Sequence, residues 1–148
     1  MIENREERTQ FFKEMNIIYF ALVAGQIMFF LVAFFIIKDN TNVAFGDEQA
    51  KMFSYFLPIV VIAIIPLGYV MYSKLCRGGK QRGSLEEKLT VYRSAVIIKL
   101  ALIEAAGFLC LVFYILTASN QFLILFAIVI VAFLINKPSK HAMIRDLN

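Results

Sequence analysis

Apolar residues in this chain come in runs too long for one face of a water-soluble helix. Only Gln26 interrupts the pattern from Ile17 to Ile37, and further runs extend from about Met52 to Tyr72, from about Ala95 to Leu116, and from Gln121 to Ile135. A hydrocarbon core of about 30 Å takes about 20 residues of helix to cross. No water is present there to satisfy the backbone, so runs of this length mean helices. The first three runs meet the requirement directly, and flanking residues from Thr117 to Asn136 complete the fourth. The expected fold class is all-α: a polytopic membrane protein forming an antiparallel four-helix transmembrane bundle. It is read as a single membrane domain over 1–148, with spans near 17–37, 52–72, 95–116 and 118–136. The first run follows Arg5, Arg8 and Lys13 as a signal peptide would. Its length, and the lack of a small-x-small cleavage site after it, identify a retained span.

Composition agrees with this pattern. Of 148 residues 60% are hydrophobic, with 15 Phe and no Trp, against about 45–50% apolar in soluble domains. The mean hydropathy is +0.72. A net charge of +4 matters through where the basic residues fall. They precede span one, fill the 73–93 connection (Lys74, Arg77, Lys80, Arg82, Lys88, Arg93) and recur in the tail as Lys137, Lys140 and Arg145. The connection after span one has only Lys38 and Lys51, and 117–121 has no basic residue. Such a bias predicts a multi-pass protein of the cell (inner) membrane with both termini and the 73–93 loop in the cytoplasm. There the basic loop lies against anionic lipid head groups. Nucleic acid is not an expected partner, because no aromatic interleaving or RNA-binding motif accompanies the charge.

Local signals mark the element ends. Ser84-Leu-Glu-Glu87 fits a capping box that starts the third helix in the cytoplasm. Asp47 after Gly46 is the expected N-cap of the second helix, and Gly78, Gly79 and Gly83 predict a flexible turn between the two. The charged stretch Glu3 to Glu14 extends the first helix beyond the membrane. Pro138-Ser139 starts either a short interfacial or partner-contacting tail helix with Met143, Ile144 and Leu147 on one side, or a frayed end. Pro58 and Pro66 each remove a backbone donor from span two, which shapes the helix for packing or makes a hinge with Gly68 and Tyr69.

Chemistry narrows to one carboxylate. Glu104 lies in the apolar stretch Ala101-Leu-Ile-Glu-Ala-Ala-Gly-Phe-Leu109, where an ionised acid costs about 2.5–3.5 kcal/mol at a helix centre. Ile97, Leu100, Ala101, Gly107, Phe108 and Leu111 share its helical face. Lys99 is off that face, and its stem is long enough to reach the cytoplasmic surface. An intramembrane carboxylate finds a partner or is carried neutral, and such residues mark functional sites. Three roles stay open: a register-fixing hydrogen bond to Gln26, a tyrosine or a carbonyl; a proton or cation site built on Glu104 and Gln26; or a contact with another subunit. Ala21-xxx-Gly25 and Ala101-xxx-Ala105, with Gly107, are the expected helix-packing positions.

No paired carboxylates, Ser/His dyad or metal-spaced His cluster is present, so no enzymatic activity, metal or cofactor is expected. His141 is read as a solvated tail residue, and Cys76 and Cys110 as unpaired thiols. The expected partners are the lipid bilayer and a membrane subunit, either a second copy or a different chain.

Residues 101–112, Ala-Leu-Ile-Glu-Ala-Ala-Gly-Phe-Leu-Cys-Leu-Val, resemble the carboxylate-bearing helix of the rotary ATPase proteolipid, the ring-forming c subunit. That resemblance implies a transported proton or sodium ion on Glu104. Span one departs from that family's glycine-rich partner helix, with Gly25 alone among Phe29, Phe30, Phe34 and Phe35. Over its length the chain is similar to a small bacterial four-helix membrane family, through Tyr92-Arg-Ser-Ala95 and Lys137-Pro-Ser-Lys140. That likeness implies no particular activity. An offset of 80 also aligns Ile17-Ile18, Ala21-Leu22 and Leu31-Val32 with Ile97-Ile98, Ala101-Leu102 and Leu111-Val112, a repeat that would be parallel. The expected function is an accessory or interaction subunit, with ion translocation through Glu104 as the alternative.

Overall fold

The computed structural model describes residues 2–39, 45–81 and 83–147, with the side chains of 2–5, 7 and 147 outside that description. Arg82 and the side chains of Arg5 and Leu147, all used in the sequence reading, therefore lie outside the described set. The described residues form five helices: α1 (Ile2–Asp39), α2 (Asp47–Lys80), α3 (Leu85–Thr117), α4 (Asn120–Ile135) and α5 (Lys140–Leu147). The expected all-α class holds. Helices α1 to α3 are each long and apolar enough to cross a membrane.

The fourth expected span is shorter than the sequence pattern implied. Helix α4 has 16 residues, about 24 Å at 1.5 Å per residue. A fourth crossing is reached only by counting α4 with α5, and those two are bent by 72°. Asn136 ends α4 by donating its side-chain amide to the Ala132 carbonyl at 2.7 Å, and Pro138 follows. Ser139 then starts α5, its hydroxyl oxygen accepting the Ala142 N–H at 3.1 Å.

Helix α3 is the hub. It packs against every other helix and is the most buried of the three long ones. Helices α1 and α3 run parallel, with Glu14 bonded to Arg93 near one end and Gln26 against Glu104 farther along. Helix α2 runs antiparallel to α3, from Gly79 beside Val91 to Phe53 against Phe113 at 4.7 Å. Helix α4 returns from α3 through Ala118 in the left-handed region at φ 51°, whose N–H bonds the Tyr114 carbonyl at 2.8 Å. It then runs along α1, with Phe126 stacked on Phe30 and Phe133 on Tyr19. The outer faces of α1, α2 and α4 stay apolar, with Ile17, Met28, Tyr55, Ile62 and Ile124 among many large exposed side chains. Patches of this extent mark surfaces that meet lipid or protein.

Two boundaries differ from expectation. Among the described residues of the 73–93 connection, only Gln81, Gly83 and Ser84 fall outside helix, because α2 continues through its polar residues to Lys80 and α3 starts at Leu85. Gly78 and Gly79 are therefore helical. Gly79 serves close packing, since a Cβ there would lie 3.0 Å from Val91 Cγ1. The N-cap of α2 is Gly46 instead of Asp47; the Gly46 N–H donates to Gln49 Oε1 at 2.9 Å. Helix α2 continues through Pro58 and Pro66. Ser84 caps α3 as its spacing predicts, accepting the Glu87 N–H at 3.2 Å.

Candidate functional site

The seam between α1 and α3 gathers four of the residues singled out by sequence. Gln26 is fully buried and lies flat on Gly107, where a Cβ would come within 2.9 Å of its Nε2. Glycine at 107 is what lets a long polar side chain fit between the two helices. The Gln26 amide donates to the backbone carbonyl of Glu104 over a long 3.4 Å, so its partner is the main chain and not the carboxylate. Its Oε1 is buried and accepts no hydrogen bond from the described residues.

The Glu104 side chain turns the other way, toward Gly25, whose added Cβ would stand 3.9 Å from Glu104 Oε1. It is half-buried, and no hydrogen bond or ion pair joins its carboxylate to any described residue. Phe29 and Phe108 meet edge-on at 5.0 Å one turn farther along and close that end of the seam. Ala21, Ala101 and Ala105, the small residues spaced by four, are not buried. All three are exposed, while Ile103, Ala106 and Gly107 are the inward residues of this part of α3. The rotation of α3 thus puts Glu104 on the rim of the seam, with small exposed residues beside it.

Chemically the seam offers a carboxylate and an unbonded amide oxygen. A neutral Glu104 has one O–H to donate, whereas an ionised one needs a donor or a cation from outside the chain.

A second polar group, which the sequence did not bring together, sits at the basic end between α2, α3 and α5. Tyr72 donates its hydroxyl to Asp146 Oδ2, and Arg145 Nε reaches the other oxygen at 2.9 Å. Lys99, expected at the surface, holds its Nζ over the rings of Tyr72 at 4.3 Å and Tyr69 at 5.5 Å. Burial pushes the Asp146 carboxyl up, but the hydrogen bonds from Arg145 and Tyr72 outweigh it and hold the carboxyl below its ordinary range. Burial raises the Tyr92 hydroxyl and the Cys76 thiol. The only advance signal was the amphipathic pattern of the tail, which explains the buried Met143 and says nothing of Tyr72, 74 residues away. Comparison with protein-family models, curated proteins and solved structures finds no match to this chain.

Proposed function

We propose that this chain is a non-catalytic integral membrane subunit that offers the rim of its α1–α3 seam to another membrane-embedded chain. In this reading it spans the bilayer four times with both termini in the cytoplasm. The observation that carries the proposal is Glu104: a half-buried carboxylate on the apolar middle of α3 that bonds to no described residue. Leaving a polar group unmatched in hydrocarbon is costly, and polar side chains at intramembrane contacts hydrogen-bond across helices. Exposed Ala21, Ala101 and Ala105 allow a second helix to approach closely enough to supply the partner.

The test is the assembly state of detergent-solubilised protein, by native mass spectrometry, for wild type, Glu104→Gln and Glu104→Ala. The expected result is an oligomer or a co-purifying membrane chain that survives in Glu104→Gln and is lost in Glu104→Ala. A monomer without a companion chain in wild type, unchanged by either substitution, would end this reading.

The Glu104 carboxylate, bonded to no described residue, also favours one second reading, a proton or cation carried on Glu104. It requires labelling of Glu104 by a hydrophobic carbodiimide, abolished in Glu104→Gln, and a specific ion flux from purified protein in liposomes.

A further inference from the structure

At the basic end, the first turns of α3 meet α1 and the tail helix α5 around a pocket of about 230 Å³, lined by Arg8, Gly83, Leu85, Lys88, Leu89, Met143 and Ile144. Its floor is apolar: Leu89 and Met143 are buried. Its charge is cationic, and neither Arg8 nor Lys88 forms an ion pair with any described residue. The neighbouring cavity, lined by Gln10, Phe11, Glu14, Glu86, Thr90 and Arg93 among others, is different. There Arg93 is already bound to Glu14 at 2.7 Å, and Glu86 adds a further negative charge.

We infer that the Arg8–Lys88 pocket binds the phosphodiester head group of an anionic glycerophospholipid. This rests on the reading that the basic end of the helices lies at a membrane surface. Lys88 lies seven residues before Ala95, about 10 Å along the helix from the start of the apolar run. That is the level of the head groups, which lysine and arginine reach on their long stems. The volume is below that of pockets enclosing a drug-sized molecule. It suits a head group whose acyl chains remain in the bilayer, with Leu85 and Ile144 against the glycerol. Helix α5 completes the pocket, and its own anchors explain why it stays in place. Lys140 lies over Phe12 of α1 at 5.5 Å, and Lys137 just before α5 lies over Phe20 at 5.2 Å.

The experiment uses the full chain in nanodiscs and in detergent, with phosphatidylglycerol and phosphatidylcholine as probes and glycerol 3-phosphate as the soluble competitor. Binding is read by native mass spectrometry of lipid adducts. Wild type should retain phosphatidylglycerol over phosphatidylcholine. One basic residue near a membrane surface is worth about five-fold, so Arg8→Gln with Lys88→Gln should lower that retention about 30-fold. The paired control Lys74→Gln with Arg77→Gln removes the same charge from α2 at the same end but outside the pocket, and should lower retention by a clearly smaller factor. Far-UV circular dichroism checks that both double variants remain helical. For a double variant that misfolds, competition by lipid for a spin label placed at Ile144 in the wild-type background replaces it. The inference is overturned by equal losses in the two double variants, by no lipid preference in wild type, or by glycerol 3-phosphate binding as tightly as the lipid. A chain released from membranes by alkaline carbonate would overturn the membrane reading itself, and the lipid inference with it.

Discussion

Gln26 carries a buried amide whose two ends fare differently: its N–H₂ reaches the Glu104 carbonyl, and its oxygen bonds nothing described. The space it occupies exists because residue 107 is glycine. Gly107→Ala would push the amide aside, losing a weak hydrogen bond worth about 1 kcal/mol. It would also gain about 1 kcal/mol of helix propensity. The expected net change is therefore within about 1 kcal/mol of zero. With Gln26→Ala in place the obstacle is gone, and the same Gly107→Ala change should stabilise by about 1 kcal/mol. Unfolding of the four proteins of this cycle in mixed micelles, followed by circular dichroism, measures the difference. Equal effects in both backgrounds would show that the two side chains do not compete for space. Gly79→Ala is the contrasting case, because Val91 is β-branched and stiff and its Cγ1 would stand 3.0 Å away. A cost of about 1–3 kcal/mol is expected there. At this scale the sequence named Glu104, Gln26, Gly25 and Gly107 through their rarity in apolar surroundings. It did not show that the amide would take the backbone carbonyl, nor that Ala21, Ala101 and Ala105 would face outward. Both depend on how each helix is rotated, and small residues spaced by four mark a face without fixing which neighbour it meets.

Helix α5 shows what the pattern of an element reveals and what it hides. Met143 and Ile144 on one side of a short tail helix were legible, and Met143 is indeed buried. The hydrogen bond from Tyr72 to Asp146 was not, since nothing local in either segment encodes a contact so distant in sequence. The extension of α2 into the 73–93 connection was hidden for a related reason, whereas that of α3 was legible in the Ser84 cap. A helix leaving an apolar layer keeps its internal hydrogen bonds among polar residues, and hydropathy records only the apolar part. The docking of α5 should depend on acid in one direction. Asp146 has its carboxyl held below the ordinary range, so its contribution is full above the unfolded pKa of about 3.9. It is lost as pH falls through the lowered folded value. Amide exchange of α5 should therefore be slow and constant from about pH 5 to 8, once corrected for intrinsic rates, and should rise below about pH 4. Tyr72→Phe removes one of the two donors, weakens docking by about 1–1.5 kcal/mol, and should speed that exchange about five- to ten-fold at neutral pH. It should also move the acid release to higher pH. Exchange in Tyr72→Phe that matches wild type at every pH would remove the hydrogen bond from the account of how α5 is held.

For the whole molecule, hydropathy anticipated long helices, yet it did not show that α3 sits among the others. Helices α1 and α4 are as apolar as α3, and only contacts distinguish a helix surrounded by protein from one facing lipid. The deciding element at this scale is the short α4, about 24 Å of helix against a core of about 30 Å. A bilayer accommodates such a deficit by local thinning or by drawing in flanking residues. In the proposed four-span reading α4 crosses in this way, and α5 returns to the same side as the α2–α3 connection. Added cysteines read this directly, because the native thiols do not interfere. Cys76 and Cys110 are buried, and burial pushes the Cys76 thiol up, away from the reactive thiolate. With a membrane-impermeant maleimide on intact cells, Glu48→Cys and Asn120→Cys should label at once. Gln81→Cys and His141→Cys should label only after permeabilisation. All four positions are exposed, so packing does not decide the result. Labelling of Asn120→Cys and His141→Cys from the same side would mean that α4 does not cross, leaving three spans and opposite sides for the two termini. The proposed four-span reading expects the other outcome, with the α2–α3 connection and the tail, whose α5 contacts α2 and α3, on one side of the membrane.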